Sequence, residues 1–323
     1  MLELAAEAEG WIHRELDRKG LHATDEPQLF HERPWSTVLR IPTSAGLLFF
    51  FKASAPSLAH EAGLTDTLAR LRPDLLPELV AVDRERGWML MPDGGHTLRS
   101  ALQEDPRPEP WERILPAYAE LQLDMTRHRP ALLAAGALDY RLGVLPRLFE
   151  ALYDDRSSLA VGHPQGLSVA EHERMRATGR VFAEMCERLR ALGPDETIHH
   201  DDFHDGNIFV SGNGYRFFDW GEGCVAHPFC TMVVCLRSIA YRFHLDADAP
   251  ELSRLRDIYL EPWSARVSRV DARAAFELAQ KIGTLSRALT WDRVLAGVPP
   301  EERGEHADAV PGWVQEYLEA VKG

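Results

Sequence analysis

The sequence predicts an α+β fold of two lobes, a small β-rich N-terminal lobe over residues 1–93 and a larger helical lobe over 94–323. Three features carry that expectation. Short apolar, strand-like runs crowd the stretch before residue 92. Long segments of helical periodicity follow the hinge-like Pro92-Asp-Gly-Gly95, and one β-like interruption, 198–220, breaks them. A chain of 323 residues has room for two such lobes, on a prior of roughly 100–200 residues per domain.

The first 20 residues set Leu2, Ala5, Ala6, Trp11, Ile12 and Leu16 at helical spacing and close at Gly20, the pattern of an amphipathic helix. Ser36–Ile41 and the solidly apolar Leu47–Phe51, which ends at Lys52, read as strands. The turn Pro42-Thr-Ser-Ala-Gly46 joins them into a hairpin. A helix follows to Leu71, with Ser54 or Ser57 as its cap. Leu79–Val82 and Trp88–Met91 are short strands around a charged turn. Beyond the hinge, helical patterns run over about 110–135, 141–153, 169–192, 229–244 and 271–289.

Hydrophobic content of 45% and charged content of 27% are those of an ordinary globular protein. A net charge of −14 argues against nucleic acid or an anionic membrane as partner, because phosphates call for clustered Lys and Arg. It would suit a cationic substrate, although an acidic solvated surface is the commoner reason for such a balance. No apolar run approaches the roughly 18 residues of a membrane helix. The acidic amphipathic N-terminus is not a signal peptide, so the expected location is the cytoplasm. Four cysteines are too few for a disulfide framework. Cys224, Cys230 and Cys235 lie near His227 without a zinc-site spacing, so they read as core cysteines.

The densest chemistry lies in His199-His200-Asp201-Asp202-Phe203-His204-Asp205-Gly206-Asn207-Ile-Phe-Val210, followed by Tyr215-Arg-Phe-Phe-Asp219-Trp-Gly-Glu222. Ile208–Val210, a turn at Ser211–Gly214 and Tyr215–Phe218 read as a hairpin, which would set Asn207 and Asp219 side by side at its open end. Two oxygen ligands with room for water and phosphate suit Mg²⁺. Asp202 is then free to face an incoming hydroxyl.

This segment resembles the catalytic and metal loops of the aminoglycoside phosphotransferase and choline kinase group, relatives of protein kinases. There the loop reads approximately His-Gly-Asp-Leu-His-x-Gly-Asn, and His200, Asp202, His204, Gly206 and Asn207 match it position by position. The resemblance implies a bilobal protein-kinase-like fold, with Asp202 as the catalytic aspartate that orients or deprotonates the substrate hydroxyl. It likewise assigns Asn207 and Asp219 to Mg²⁺. His200 would support the loop, and His204 would either brace it or touch substrate.

The N-terminal lobe offers an independent check. Leu48, Phe50 and Lys52 share one face of their strand, so Lys52 extends an apolar face where a lysine is costly without an anion. Glu61 lies on the same helical stripe as Leu64, Thr65 and Leu68 and needs a cation. Lys52 and Glu61 therefore look like the kinase Lys–Glu pair, which would position ATP phosphates. The chain departs from the pattern in having no Gly-x-Gly-x-x-Gly; Phe30–Ser36 stands there, with amides near Trp35–Thr37 expected over the phosphates. It also has His227-Pro-Phe-Cys-Thr where the family commonly places a further Asp.

The adenine is expected against the connection between lobes, with backbone groups of Leu90 and Met91 as partners. Asp201, Asp205 and Glu222 are the candidate contacts for a cationic substrate, with Asp154 and Asp155 farther off. The expected function is transfer of the γ-phosphoryl of ATP, with Mg²⁺, to a hydroxyl of an aminoglycoside, amino alcohol or sugar-like molecule. The alternative is a non-catalytic nucleotide-binding pseudokinase scaffold, against which stands the joint presence of Lys52, Glu61, Asp202, Asn207 and Asp219. No Ala-Pro-Glu follows Asp219, which disfavours a protein acceptor.

Overall fold

The structure, a computed structural model, describes residues 2–212 and 214–322. Asn213, in the turn expected at Ser211–Gly214, and the side chains of Leu2 and Ala5 lie outside the described residues. The N-terminal lobe is helix α1 (Leu2–Asp17) on one face of a five-stranded antiparallel sheet. The strands are β1 (Gln28–Arg33), β2 (Ser36–Pro42), β3 (Leu48–Ser54), β4 (Ala81–Asp83) and β5 (Trp88–Pro92), in the order β1-β2-β3-β5-β4. Trp11, Ile12 and Leu16 of α1 pack on Ile41, Phe49, Phe51, Trp88 and Leu90.

That one-sided cover corrects the expected strand face. The buried side of β3 is Phe49 and Phe51, while Leu48, Phe50 and Lys52 are half-buried on the opposite side. Cross-strand pairs share a face, so Met89, opposite Lys52, and Met91, opposite Phe50, join that second side. β1 was not expected as a strand; it pairs with β2 through a two-residue turn at Pro34–Trp35. Helix α2 (His60–Leu71) follows a 3₁₀ turn and has Ala59 as its cap. Ser54 does not cap it but turns its hydroxyl to Glu61.

The helical lobe comprises α3 (Leu98–Glu104), α4 (Trp111–Met125), α5 (Arg129–Ala134), α6 (Leu145–Asp154), α7 (Val169–Leu192), α8 (Met232–Phe243), α9 (Pro250–Leu260), α10 (Arg269–Val294) and α11 (Ala309–Ala320). The expected helix at 110–135 is split into α4 and α5 by a 3₁₀ turn, and α3, α9 and α11 were not anticipated. Leu64 and Leu68 of α2 sink into this lobe's core, which ties the two lobes together. Short strands carry the chemistry: β6 (Leu138–Asp139), β7 (Thr197–His200), β8 (Ile208–Ser211), β9 (Gly214–Phe217) and β10 (Gly223–Ala226). β8 and β9 form the expected hairpin, and β7 pairs antiparallel with β10, His200 opposite Gly223. The loop after β7 and the segment between β9 and β10 are thereby held next to each other.

All four cysteines are buried and free. Among the described residues no cluster of His, Cys, Asp and Glu could hold a metal by itself, and no helix is long and apolar enough to cross a membrane.

Candidate active site

The loop after β7 is built on hydrogen-bonded histidines. His200 is buried, which pulls its pKa down to about 4. Its Nε2–H donates to the Phe218 carbonyl at 2.9 Å, and its Nδ1 accepts the Asp202 amide at 3.3 Å. His200 thus fastens the Asp202 backbone to the segment that leads into Asp219. Underneath, the His199 ring bonds Asp201 at 2.7 Å and Thr231 at 2.9 Å, and Thr231 meets the Tyr118 hydroxyl at 3.1 Å. That hydroxyl in turn accepts the His200 amide at 2.9 Å. This polar chain buried under the loop leaves the backbone little freedom.

Asp202 emerges from this base. Asn207 donates its side-chain N–H to the Asp202 carbonyl at 2.9 Å and to Oδ2 at 3.2 Å. His204 accepts the Gly206 amide on Nδ1 and brings Nε2 to 3.2 Å from Asp202 Oδ2, so it braces the loop. Burial would raise the Asp202 pKa, but the Arg287 guanidinium and His204 overcome it and hold it well below the ordinary carboxylate range.

Asp219 follows β9 in the left-handed region at φ 65°, a conformation that costs a non-glycine residue of order 1–3 kcal/mol and is retained mainly at functional sites. Its Oδ1 accepts from Lys52 Nζ at 2.6 Å, and the same ammonium donates to Glu61 Oε1 at 2.7 Å. Ser54 closes the group by donating to Glu61 Oε2 at 2.8 Å. Burial would lower the Lys52 pKa, but Asp219 and Glu61 raise it above its usual value, so the lysine stays charged. The arrangement fits Mg²⁺. The Asn207 amide nitrogen is spent on Asp202, which leaves its carbonyl oxygen, and the Asp219 side chain is 45% exposed.

The chain matches the APH family of phosphotransferase enzymes over residues 29–267. It belongs to that family. No curated protein matches the chain. Its fold resembles those of solved kinases at low identity. An ethanolamine kinase of Plasmodium vivax superposes with a TM-score of 0.59 at 12% identity, covering 91% of this chain and 81% of that one. The choline kinase of Streptococcus pneumoniae gives 0.59 at 15%, covering 97% and 98%. A macrolide 2′-phosphotransferase of Brachybacterium faecium gives 0.57 at 13%, covering 95% and 98%. The bilobal kinase-like architecture is therefore shared, and the APH-family chain is a phosphotransferase of the small-molecule kinase type.

Other expected site residues lie differently. Leu90 is wholly buried under α1, and its carbonyl accepts the Val80 amide at 2.8 Å, because β5 is an interior strand with a neighbour on each side. Its backbone carbonyl is spent within the sheet rather than turned to the cleft. Met91 lies on the Lys52 face, opposite Phe50, whose ring stacks edge-on against Phe30 at 5.1 Å. Asp205 is buried with its two oxygens on Arg99 and Arg242, and Asp201 is buried against His199. Neither is an open carboxylate. Asp155 caps its own turn through the Ser157 and Ser158 amides. Trp35 stacks edge-on with Trp291 at 5.9 Å and with His306 at 5.1 Å, which pins the tip of the β1–β2 hairpin to the helical lobe.

One residue was not foreseen. Arg287 of α10 donates to Asp202 Oδ1 at 3.0 Å and pairs with Glu222.

Proposed function

We propose that this phosphotransferase moves the γ-phosphoryl of ATP, in the presence of Mg²⁺, to a hydroxyl of a small molecule. The observation that carries the reading is the double engagement of Lys52 with Glu61 and Asp219, beside an Asp202 that is bonded to Asn207. Nucleotide, metal and acceptor roles each have a group in one contiguous site. Lys52 would hold the phosphates, and Asn207 and Asp219 would hold Mg²⁺, which neutralises phosphate charge when bound. Asp202, ionised and fixed, would align the acceptor hydroxyl along the line of transfer. Met91 and the Phe30–Phe50 pair offer an apolar surface for the base.

The neighbours act, by their names, on ethanolamine, choline and macrolides, which supports a small hydroxylated acceptor. The test is ADP release from MgATP across aminoglycosides, amino alcohols, amino sugars and nucleosides, with Asp202→Asn alongside. An acceptor that gains one phosphoryl group by mass, and fails to do so with the variant, bears out the reading. MgATP binding without transfer to any acceptor would instead favour the scaffold.

A further inference from the structure

Arg287 occupies an unusual place. It is 4% exposed, and its Nη2 lies 3.0 Å from Asp202 Oδ1. Nη1 pairs with Glu222 and lies 3.8 Å from Asp201 Oδ2. On its other side the guanidinium carbon sits 5.4 Å from the centre of the Trp291 ring, one turn further along α10. One turn earlier, Gly283 sets the depth of the helix. A Cβ there would stand 2.6 Å from Val233 Cγ2 and 3.3 Å from the Cys230 carbonyl, so a glycine lets α10 lie close against the start of α8.

Stability alone does not explain such a group. Desolvating an arginine and its carboxylates costs as much as their attraction returns, and a buried ion cluster is often neutral or worse than apolar packing of the same volume. What the cluster does supply is orientation. Asp202 Oδ2 is fixed by Asn207 and His204, and among the described residues Arg287 alone fixes Oδ1. With both oxygens held, the plane of the carboxylate is set, and so is the direction of the lone pair left for an acceptor hydroxyl.

We propose that Arg287 is the positioning residue of the transfer reaction, acting through Asp202, and that Glu222 serves as its anchor rather than as a contact for a cationic substrate. The inference rests on the phosphotransferase reading above. Among the described residues Arg287 bonds neither Lys52, Asn207 nor Asp219, so MgATP binding is expected to survive its loss.

The test uses the full chain, MgATP and a panel of ethanolamine, choline, kanamycin and a macrolide as acceptors. Arg287→Gln strands three carboxylates and can fail to fold, so the decisive variant is Arg287→Gln with Glu222→Gln, which removes the anchor's charge as well. Expected is a folded double variant that binds MgATP as the wild type does. Its kcat should fall roughly 100-fold, the scale of a misplaced reacting group, with the acceptor KM changed only a few-fold. Arg287→Lys keeps the charge but not the two-pronged geometry, and recovers only part of kcat. Wild-type kcat in the double variant would overturn the proposal, because Arg287 would then be no more than a counter-charge for Glu222. A wild-type chain that binds MgATP yet phosphorylates nothing would remove the kinase reading itself, and the role of Arg287 with it.

Discussion

Replacing Lys52 by Met tests the electrostatics of the nucleotide side directly. The lysine satisfies two carboxylates that differ in access to water. Asp219 keeps 45% of its side chain exposed and can be hydrated, whereas Glu61 keeps 2% and, among the described residues, has Ser54 alone besides Lys52. The stranded charge is therefore Glu61. Breaking a buried pair by removing one partner costs roughly 3–5 kcal/mol. At about 2 °C per kcal/mol for a chain of this size, that is a drop in Tm of roughly 6–10 °C near pH 8.

The loss should also depend on pH. Burial already raises the Glu61 pKa, and Lys52 opposes it, so the variant's Glu61 titrates higher still. A group whose folded pKa lies above its unfolded value stabilises the fold while protonated and withdraws that support as pH rises through the folded pKa. The deficit of the variant should thus shrink on acidification, by about 1.4 kcal/mol per unit between the new Glu61 pKa and the lower one it has beside Lys52, and be constant above that range. The assay is Tm against pH from 5 to 8, taken as the difference from wild type. Adding Glu61→Gln should recover most of the loss at pH 8. A deficit that is independent of pH, or one that Glu61→Gln leaves untouched, would refute the assignment of Glu61 as the stranded charge.

Asp202→Asn should lower turnover by about 100-fold or more, the scale of a lost alignment, while calorimetry finds MgATP affinity within a few-fold of wild type. Asp219→Ala should abolish the Mg²⁺-dependent part of nucleotide binding, so that titrations with Mg²⁺ and with a chelator become alike. Trp35→Ala removes the hairpin tip from Trp291 and His306. It should cost about 1–3 kcal/mol in aromatic pairing, summed over the two contacts, read as a lower Tm. Because Asp202 is held ionised far below neutral pH, kcat should show no loss assignable to it as pH falls from 8 to 5. A steep acid limb in that range that Asp202→Asn removes would contradict this.

The parts of the site that the sequence exposed are those built from local contacts. Asn207 and Asp219 are brought together by a single hairpin, and Lys52 and Glu61 by one strand–helix connection, so spacing sufficed. Leu90 was misread because spacing does not show which strands flank β5, and its place between β3 and β4 spends the Leu90 carbonyl on the Val80 amide. β1 escaped notice because all six of its residues are exposed and so show no apolar alternation. α11 escaped because Pro311 and Gly312 sit in its first turn, where a proline is tolerated although it reads as a break. Arg287 had no local mark at all. It lies 85 residues beyond Asp202, in a helix whose pattern is ordinary, and a single arginine there reads as a solvated side chain.

Asp202 is better placed to aim a hydroxyl than to strip its proton. A carboxylate with a depressed pKa is a weak base, and every donor around it, from Arg287 to His204 and Asn207, weakens it further. In a loose phosphoryl transfer the acceptor needs little nucleophilic help before the bond to the leaving oxygen has largely broken, so a strong base adds little. Direction matters more. A carboxylate fixed at both oxygens, on a backbone tied down by His200 and the buried Thr231–Tyr118 chain, gives up basicity and gains alignment. That trade accounts for acidic residues, arginine and histidines crowding a site whose reaction consumes none of them.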